Sequence, residues 1–334
     1  MKPAALLAIT VVCQAASPTD CAPCHRKETR NFGKTSMARA LFPAAASDVL
    51  KANPKLTASI SGYDYALTTS GPQPLLSVSK DGQTVTTPLA WAFGEGVTGQ
   101  TYLYEQDGRW YESRVSYYKA TKGLDVTMGM RNIIATNLNE APGRLTQVAE
   151  AGQCFDCHAT NVIKSPRLDL STMREGIQCE RCHGAAESHV AAKAPLRKLT
   201  RLTTEEQSDF CGQCHRTWAQ VAAGGPRGIE NVRFQPYRLA NSKCYDAADS
   251  RIRCTACHDP HNPLETAAAP YDAACLACHS RAARPATKAS AHICKRGTSN
   301  CASCHMPRLD LPGAHNQFTD HWIRVAKTGA AYPD

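Results

Sequence analysis

Aromatic residues are scarce in this sequence, and apolar runs long enough to cross a membrane are absent. Phe, Trp and Tyr make up 7% of the 334 residues, and the mean hydropathy is negative at -0.37. Because a helix needs about 20 apolar residues to span a bilayer, no integral membrane span is expected. Aromatic side chains dominate the energetics of most cores, so the sequence also predicts a thin conventional core.

Runs of Lys or Arg are absent as well, although the formal net charge is +9. Proteins that bind nucleic acid concentrate positive charge on one face or along one helix. Here the positive residues are scattered, so the sequence does not favour a nucleic acid as partner.

The first 16 residues have the pattern of a secretory signal peptide. Met1-Lys2 is a short basic start, Ala4–Val12 is an apolar stretch, and Cys13-Gln14-Ala15-Ala16 offers a cleavage site among small residues. We expect export to the periplasm or the extracellular space. Lipidation of Cys13 is the less favoured alternative, because Thr10-Val11-Val12 is a poor match to a lipoprotein signal.

Cysteine, by contrast, is abundant: the chain has 17 cysteines and 12 histidines. Fourteen of the cysteines form the motif C-x-x-C-H, which occurs seven times and always has histidine directly after the second cysteine. In order, motifs 1 to 7 are Cys21, Cys24 and His25; Cys154, Cys157 and His158; Cys179, Cys182 and His183; Cys211, Cys214 and His215; Cys254, Cys257 and His258; Cys275, Cys278 and His279; and Cys301, Cys304 and His305.

The repeated motif separates three kinds of cysteine chemistry. A zinc site needs four ligands, and nothing in it requires histidine directly after the second cysteine. A thioredoxin-like redox pair needs one such motif in a βαβ context, not seven. Covalent haem c needs two thiols for its vinyl groups and an adjacent imidazole as proximal iron ligand. The sequence therefore predicts seven covalently attached haem c groups.

The spacing of the motifs divides the chain. After the signal peptide, residues 17–57 hold the first haem site, residues 58–150 form a β-rich module, and residues 151–334 form a hexahaem cytochrome c domain. Asp81-Gly82 and Asp107-Gly108 lie between runs of β-forming residues, and such pairs predict tight hairpins. The expected fold is mainly α with extensive loops, plus a small antiparallel β module inserted after the first haem site. Packing of Trp110 and the tyrosines of this module against the cytochrome part is favoured over a substrate site.

Five histidines outside the motifs are candidates for the sixth iron ligand. They are His189, His261, His292, His315 and His321. His189 and His261 follow their motifs too closely to reach the far face of their own haem, so each is expected to bind a neighbouring iron. Met37 is the candidate for the first haem, with a core methionine as the alternative. Five histidines for seven irons leave at least two without a histidine partner, so one haem with an open axial position is an alternative to a fully ligated array.

Two further features concern cysteine and charge. Cys244 and Cys294 lie outside the motifs, and a disulfide between them is favoured over axial thiolate ligation. Seven haems would add about −14 of propionate charge, so scattered Arg and Lys residues are expected to neutralise propionates. The lysine-ligated variant C-x-x-C-K is absent.

Several stretches resemble multihaem c-type cytochromes with paired CxxCH motifs, related to the tetrahaem cytochrome that accepts electrons from hydroxylamine oxidoreductase. These stretches are CERCHG followed by His189, CTACHDPH, CASCHMP followed by His315, and DHWIR (Asp320–Arg324). VRFQPYRL (Val232–Leu239) and residues Gly99–Tyr118 resemble exported bacterial multihaem proteins with an N-terminal β insertion. The resemblance implies that His189, His261, His292 and His315 are distal ligands.

The sequence thus predicts an exported heptahaem cytochrome that transfers electrons between redox partner proteins. The alternatives are a multihaem oxidoreductase acting on a small nitrogen or sulfur compound, and a subunit of a conductive haem filament that self-associates.

Overall fold

The computed structural model describes residues 21–164, 167–280, 293–327 and 329–334. The predicted signal peptide with Cys13, and His292, lie outside these residues. Helix makes up 32% and strand 23% of the structure. The fold is therefore a mixture of helices and antiparallel sheets, with more strand than a mainly α description implies.

Most helices lie in the second half of the chain, and most carry a CxxCH motif. The α-helices of the described residues are α1 (Arg26–Phe32), α2 (Asp48–Ala52), α3 (Val148–His158), α4 (Cys179–His183), α5 (Glu187–Ala192), α6 (Thr204–His215), α7 (Trp218–Ala222), α8 (Gln235–Ala240), α9 (Cys254–Cys257), α10 (Ala268–His279) and α11 (Cys301–His305). Short 3₁₀ turns span Ala44–Ala46, Leu199–Arg201, Gly228–Arg233 and Ser250–Ile252.

The strands are concentrated before residue 146. They are β1 (Leu41–Pro43), β2 (Lys55–Ile60), β3 (Tyr63–Thr68), β4 (Leu75–Lys80), β5 (Gln83–Pro88), β6 (Trp91–Phe93), β7 (Gly99–Gln106), β8 (Arg109–Ser113), β9 (Val115–Tyr118), β10 (Gly123–Val126) and β11 (Gly143–Leu145). Six shorter strands follow: β12 (Ala159–Thr160), β13 (Ile163–Lys164), β14 (Arg167–Leu168), β15 (Arg174–Glu175), β16 (Arg308–Leu311) and β17 (Asn316–Thr319).

The early strands form two antiparallel sheets. One has the order β2-β3-β4-β5, and the other has the order β1-β6-β7-β8-β11, with β9 joining β7 to β10. Both predicted hairpins are confirmed: Asp81-Gly82 connects β4 to β5, and Asp107-Gly108 connects β7 to β8. All four of these turn residues have positive φ, as a two-residue I′-type turn requires. Strand pairing begins earlier than residue 58, because β1 pairs with β6.

The main apolar core lies between the two sheets. Tyr65, Leu67, Leu76, Val78 and Tyr102 are each at most 1% exposed there. The tyrosines of the module therefore fill a core and do not line a surface site.

The other face of the larger sheet packs on α3, the helix that carries motif 2. Phe155 of α3 is fully buried, and its ring meets Trp91, Phe93 and Trp110 at centroid distances of 5.9, 5.3 and 5.8 Å. The expected packing of Trp110 on the cytochrome part is thus found. This contact fixes the β module against motif 2.

The rest of the described chain has only small apolar clusters. One contains Val221, Phe234 and Tyr237, and another is centred on Val232 and Leu311. No helix among the described residues is long and apolar enough to cross a membrane. Because these apolar clusters are small, the CxxCH helices could surround a core that is not made of apolar side chains.

Candidate functional site

Six of the seven CxxCH motifs lie on short helices or at helix C-termini. α3, α6 and α10 end at His158, His215 and His279, whereas α4 and α11 consist of the motif itself. Residues three apart share one face of a helix, so both thiols of a motif approach the same side. α6 begins at a capping box in which Thr203 and Glu206 satisfy each other's backbone N–H groups.

The motif helices touch one another through their cysteines. The thiol of Cys157 in motif 2 lies close to that of Cys214 in motif 4, and the thiol of Cys211 in motif 4 lies close to that of Cys254 in motif 5. No disulfide is present among the described cysteines. Motifs 2, 4 and 5 therefore form one contiguous group.

Three pairs of histidines face each other across short gaps. The ring centroids are 6.1 Å apart for His25 and His189, and the same for His183 and His261. They are 6.2 Å apart for His258 and His321. Each pair joins the proximal histidine of one motif to a histidine that lies outside the motifs.

These separations suit one iron bound between two imidazoles. A metal–imidazole bond is about 2.0 Å long, and a ring nitrogen lies about 1.1 Å from the centroid of a five-membered ring with bonds of about 1.35 Å. Two imidazoles on opposite faces of one iron therefore have centroids about 6.2 Å apart. The residues present thus fit a bis-histidine haem.

In five of the motif and candidate distal histidines, the ring nitrogen Nδ1 already has a hydrogen-bond partner, as is typical of metal ligands. Nδ1 of His183, His189 and His321 lies 2.9, 2.7 and 3.0 Å from the carbonyl oxygens of Arg197, Ala194 and Thr319. Nδ1 of His158 and His305 contacts the carbonyls of Ala40 and Arg324 in the same way, at 3.0 Å each. A hydrogen bond at Nδ1 orients the ring and leaves the Nε2 lone pair for a metal.

Burial keeps several of these imidazoles neutral. It lowers the pKa of His158, His215 and His258, and it lowers that of His321 to about 4. Neutral imidazole is the form that binds a metal.

A partly buried arginine provides a second fit for haem. Nε of Arg233 is buried without a hydrogen-bond partner among the described residues, whereas Nη1 lies 3.5 Å from Sδ of Met128. Burial lowers the pKa of this guanidinium, and Arg216, which directly follows His215 of motif 4, lowers it further. A haem propionate would supply the acceptor that the buried Nε–H lacks.

The described residues contain no cluster of three or more His, Cys, Asp or Glu side chains that could hold a metal ion by themselves. Haem c at these sites would supply a one-electron Fe(III)/Fe(II) couple.

Two predicted ligands stand apart from the histidine pairs. Nε2 of His315 lies 2.7 Å from Oδ2 of Asp125, and its ring packs 4.7 Å from that of Tyr118. Nε2 of His315, the nitrogen that the other histidines leave available, is therefore occupied. His25 faces His189, and the backbone carbonyl of Met37 accepts from the N–H of Ile177.

The expected disulfide is also not found. Cys244 and Cys294 are separate thiols. Cys244 lies among the cysteines of motifs 5 and 6, where burial raises its pKa, whereas Cys294 is exposed.

The sequence analysis missed a fully buried ion pair beside the C-terminal motif. Arg238 and Asp320 are both 0% exposed, and the Nε and Nη2 groups of Arg238 donate to the two carboxylate oxygens at 2.8 and 2.9 Å. Arg238 lies in the stretch VRFQPYRL and Asp320 in DHWIR, and both stretches were noted in the sequence. Their spacing does not show that the two side chains form a pair.

Comparisons with known proteins agree with this geometry. The family model described as cytochrome c554 and c-prime matches residues 105–184, which include motifs 2 and 3. No curated protein matches the chain. The crystal structure of the outer cell wall cytochrome OcwA has a similar fold, with a TM-score of 0.53 at 12% sequence identity, over 93% of this chain and 80% of that one. The family model therefore covers two of the seven motifs, and the structural similarity shows a shared fold.

Proposed function

We propose that the chain is an exported heptahaem c-type cytochrome that carries electrons between redox partner proteins through a closely packed haem array. The observation that carries this proposal is the set of three histidine pairs, His25–His189, His183–His261 and His258–His321, each at the spacing of a bis-histidine iron. Histidine on both axial positions makes an electron-transfer site and leaves no room for substrate.

The pairs also support a fixed order of haems. His189 follows motif 3 and faces motif 1, His261 follows motif 5 and faces motif 3, and His321 follows motif 7 and faces motif 5. In each pair, the sixth ligand for the haem of one motif therefore comes from the segment that follows the motif two places further along the chain. Such exchange ties motifs 1, 3, 5 and 7 into one rigid series, and the thiol contacts attach motifs 2 and 4 to it.

A reductive titration tests the proposal. The oxidised holoprotein is titrated with dithionite while the haem absorbance is followed. We expect about seven electrons per chain to be taken up, with rapid equilibration among the haems. Uptake of three or fewer electrons would contradict a heptahaem carrier.

A second candidate is a multihaem oxidoreductase with one haem open to a small nitrogen or sulfur compound. The observation that favours it is the contact of His315 with Asp125, which leaves His189, His261, His292 and His321 for seven irons. Carbon monoxide binding to the reduced holoprotein tests this candidate. One or more haems that bind carbon monoxide would favour it, and a spectrum unchanged by carbon monoxide would exclude it.

A further inference from the structure

The side chain of Arg238 is completely buried and uses all of its donor groups. Besides the fork on Asp320, its Nη1 donates to Oδ1 of Asn231 at 3.1 Å and to the carbonyl oxygen of Pro333 at 2.7 Å. Its guanidinium lies between the rings of Trp322 and Tyr332, 4.6 and 4.4 Å from their centroids. The two aromatic faces and the bidentate carboxylate together fix the position of the guanidinium group.

The partner carboxylate organises a tight turn. Oδ1 of Asp320 accepts from the N–H of Trp322 at 3.0 Å, and Oδ2 accepts from Nη1 of Arg324 at 2.6 Å. On the other side of the turn, Oγ of Ser242 donates to the carbonyl of His321 at 3.0 Å and accepts from the N–H of Ile323 at 2.8 Å. Residues 320–324 are therefore held from both sides.

This turn contributes to two haem sites at once. His321, next to Asp320, faces His258 of motif 5. The carbonyl oxygen of Arg324 lies 3.0 Å from Nδ1 of His305, the proximal histidine of motif 7. A change in the shape of the turn would move both a distal ligand and the orientation of a proximal one.

We propose that Arg238 is a positioning residue for the iron ligand His321, and that its bidentate contact with Asp320 keeps the 320–324 turn in the ligating shape. This inference rests on the proposed function, because it takes His321 to be the sixth ligand of the motif 5 haem. Lysine cannot replace arginine here, since a single ammonium cannot bind both carboxylate oxygens and stack between two rings.

The test compares four variants as holoproteins. Arg238→Lys retains the charge but loses the planar fork, and Asp320→Asn retains the shape but loses the carboxylate. His321→Ala removes the ligand itself. Arg114→Lys is the matched control, because Arg114 is also buried, at 4% exposure, and donates to the carbonyls of Met130 and Ile133 in the β module.

Haem content is measured by the pyridine haemochrome assay, and open irons are counted by ferric high-spin signals and by carbon monoxide binding after reduction. We expect the wild-type haem content throughout. Arg238→Lys and Asp320→Asn should each gain up to one high-spin, carbon monoxide-binding haem per chain, with the spectrum of His321→Ala. The double variant Arg238→Lys/His321→Ala should gain no second one, and Arg114→Lys should gain none.

The variants distinguish an error in the ligation by His321 from an error in the positioning role of Arg238. If His321→Ala gains no high-spin haem, His321 is not an iron ligand and the proposed ligation is wrong. If His321→Ala gains one but Arg238→Lys and Asp320→Asn keep the wild-type spectra, ligation holds and the positioning role of Arg238 is refuted. Equal gains in Arg238→Lys and Arg114→Lys would also refute it, because general loosening of the fold would then explain both.

Discussion

His183 and His261 lie opposite each other, with ring centroids 6.1 Å apart and ring planes only 12° from parallel. His183 belongs to motif 3, and His261 belongs to the turn that follows motif 5. Nδ1 of each ring already has an oxygen partner, the carbonyl of Arg197 at 2.9 Å and Oδ1 of Asp259 at 3.0 Å. The two remaining nitrogens are those required to bind one iron between them.

Replacement of His261 by alanine should open one iron. We expect His261→Ala to retain the wild-type haem content, because the thioether bonds of motif 3 are untouched, and to gain one high-spin ferric haem per chain. Electron paramagnetic resonance of the oxidised protein and carbon monoxide binding after reduction measure this. Low-spin spectra identical to those of the wild type would show that His261 is not a ligand.

Replacement of His315 should have a different effect. Because Nε2 of His315 binds Asp125, we expect His315→Ala to gain no high-spin haem, which makes it a matched histidine control for His261→Ala. The hydrogen bond is partly exposed, at 25% for His315 and 33% for Asp125, so its loss should cost about 0.5–1.5 kcal/mol of unfolding free energy. Denaturant unfolding followed by circular dichroism measures the loss, and a new high-spin haem would restore His315 as a ligand.

Acid should displace the buried ligand His321 only well below neutral pH. Burial lowers the pKa of His321 to about 4, from an ordinary value of about 6.5. The stabilisation from neutral His321 is therefore complete above about pH 6.5 and is lost as the pH falls through about 4.

We therefore expect an acid titration of the holoprotein to convert the haem bound by His321 to high spin only as the pH falls towards about 4. The spectrum of His321→Ala identifies this transition. Conversion of that haem at or above about pH 6.5 would contradict the assignment of His321 as a buried ligand.

The contact between the β module and motif 2 should be costly to remove. Phe155 is fully buried against Trp91, Phe93 and Trp110. Truncation of such a ring costs about 3–5 kcal/mol, so we expect Phe155→Ala to lower the unfolding free energy by about that amount. The matched control is Phe210→Ala, because Phe210 is half-buried and stacks only under Arg197. A loss for Phe155→Ala no larger than for the control would show that the packing contributes little.

Local patterns in the sequence predicted local structure well. Asp81-Gly82 and Asp107-Gly108 gave two hairpins, because a type I′ turn requires positive φ at both central residues. The strand Leu41–Pro43 was not predicted, since three residues are too few to show alternation and its pairing with β6 is a tertiary contact.

The same distinction holds at the site. Spacing revealed the seven motifs and predicted that His189 and His261 bind neighbouring haems, because a ligand so close in sequence cannot pass around its own macrocycle. Which motif each histidine faces could not be read, since those pairs are set by packing between distant segments. The buried Arg238–Asp320 pair and the contact of His315 with Asp125 were missed for the same reason: 82 residues separate the first two and 190 the second two.

Covalent haem content tests the central claim most directly. Thioether-linked haem survives denaturation, so the mass of the purified, unfolded protein exceeds that of its polypeptide by the mass of every attached haem. The account predicts an excess of seven haem groups, and loss of one group when both cysteines of any one motif are replaced by serine. An excess of four or fewer groups in the fully matured wild-type protein would contradict it.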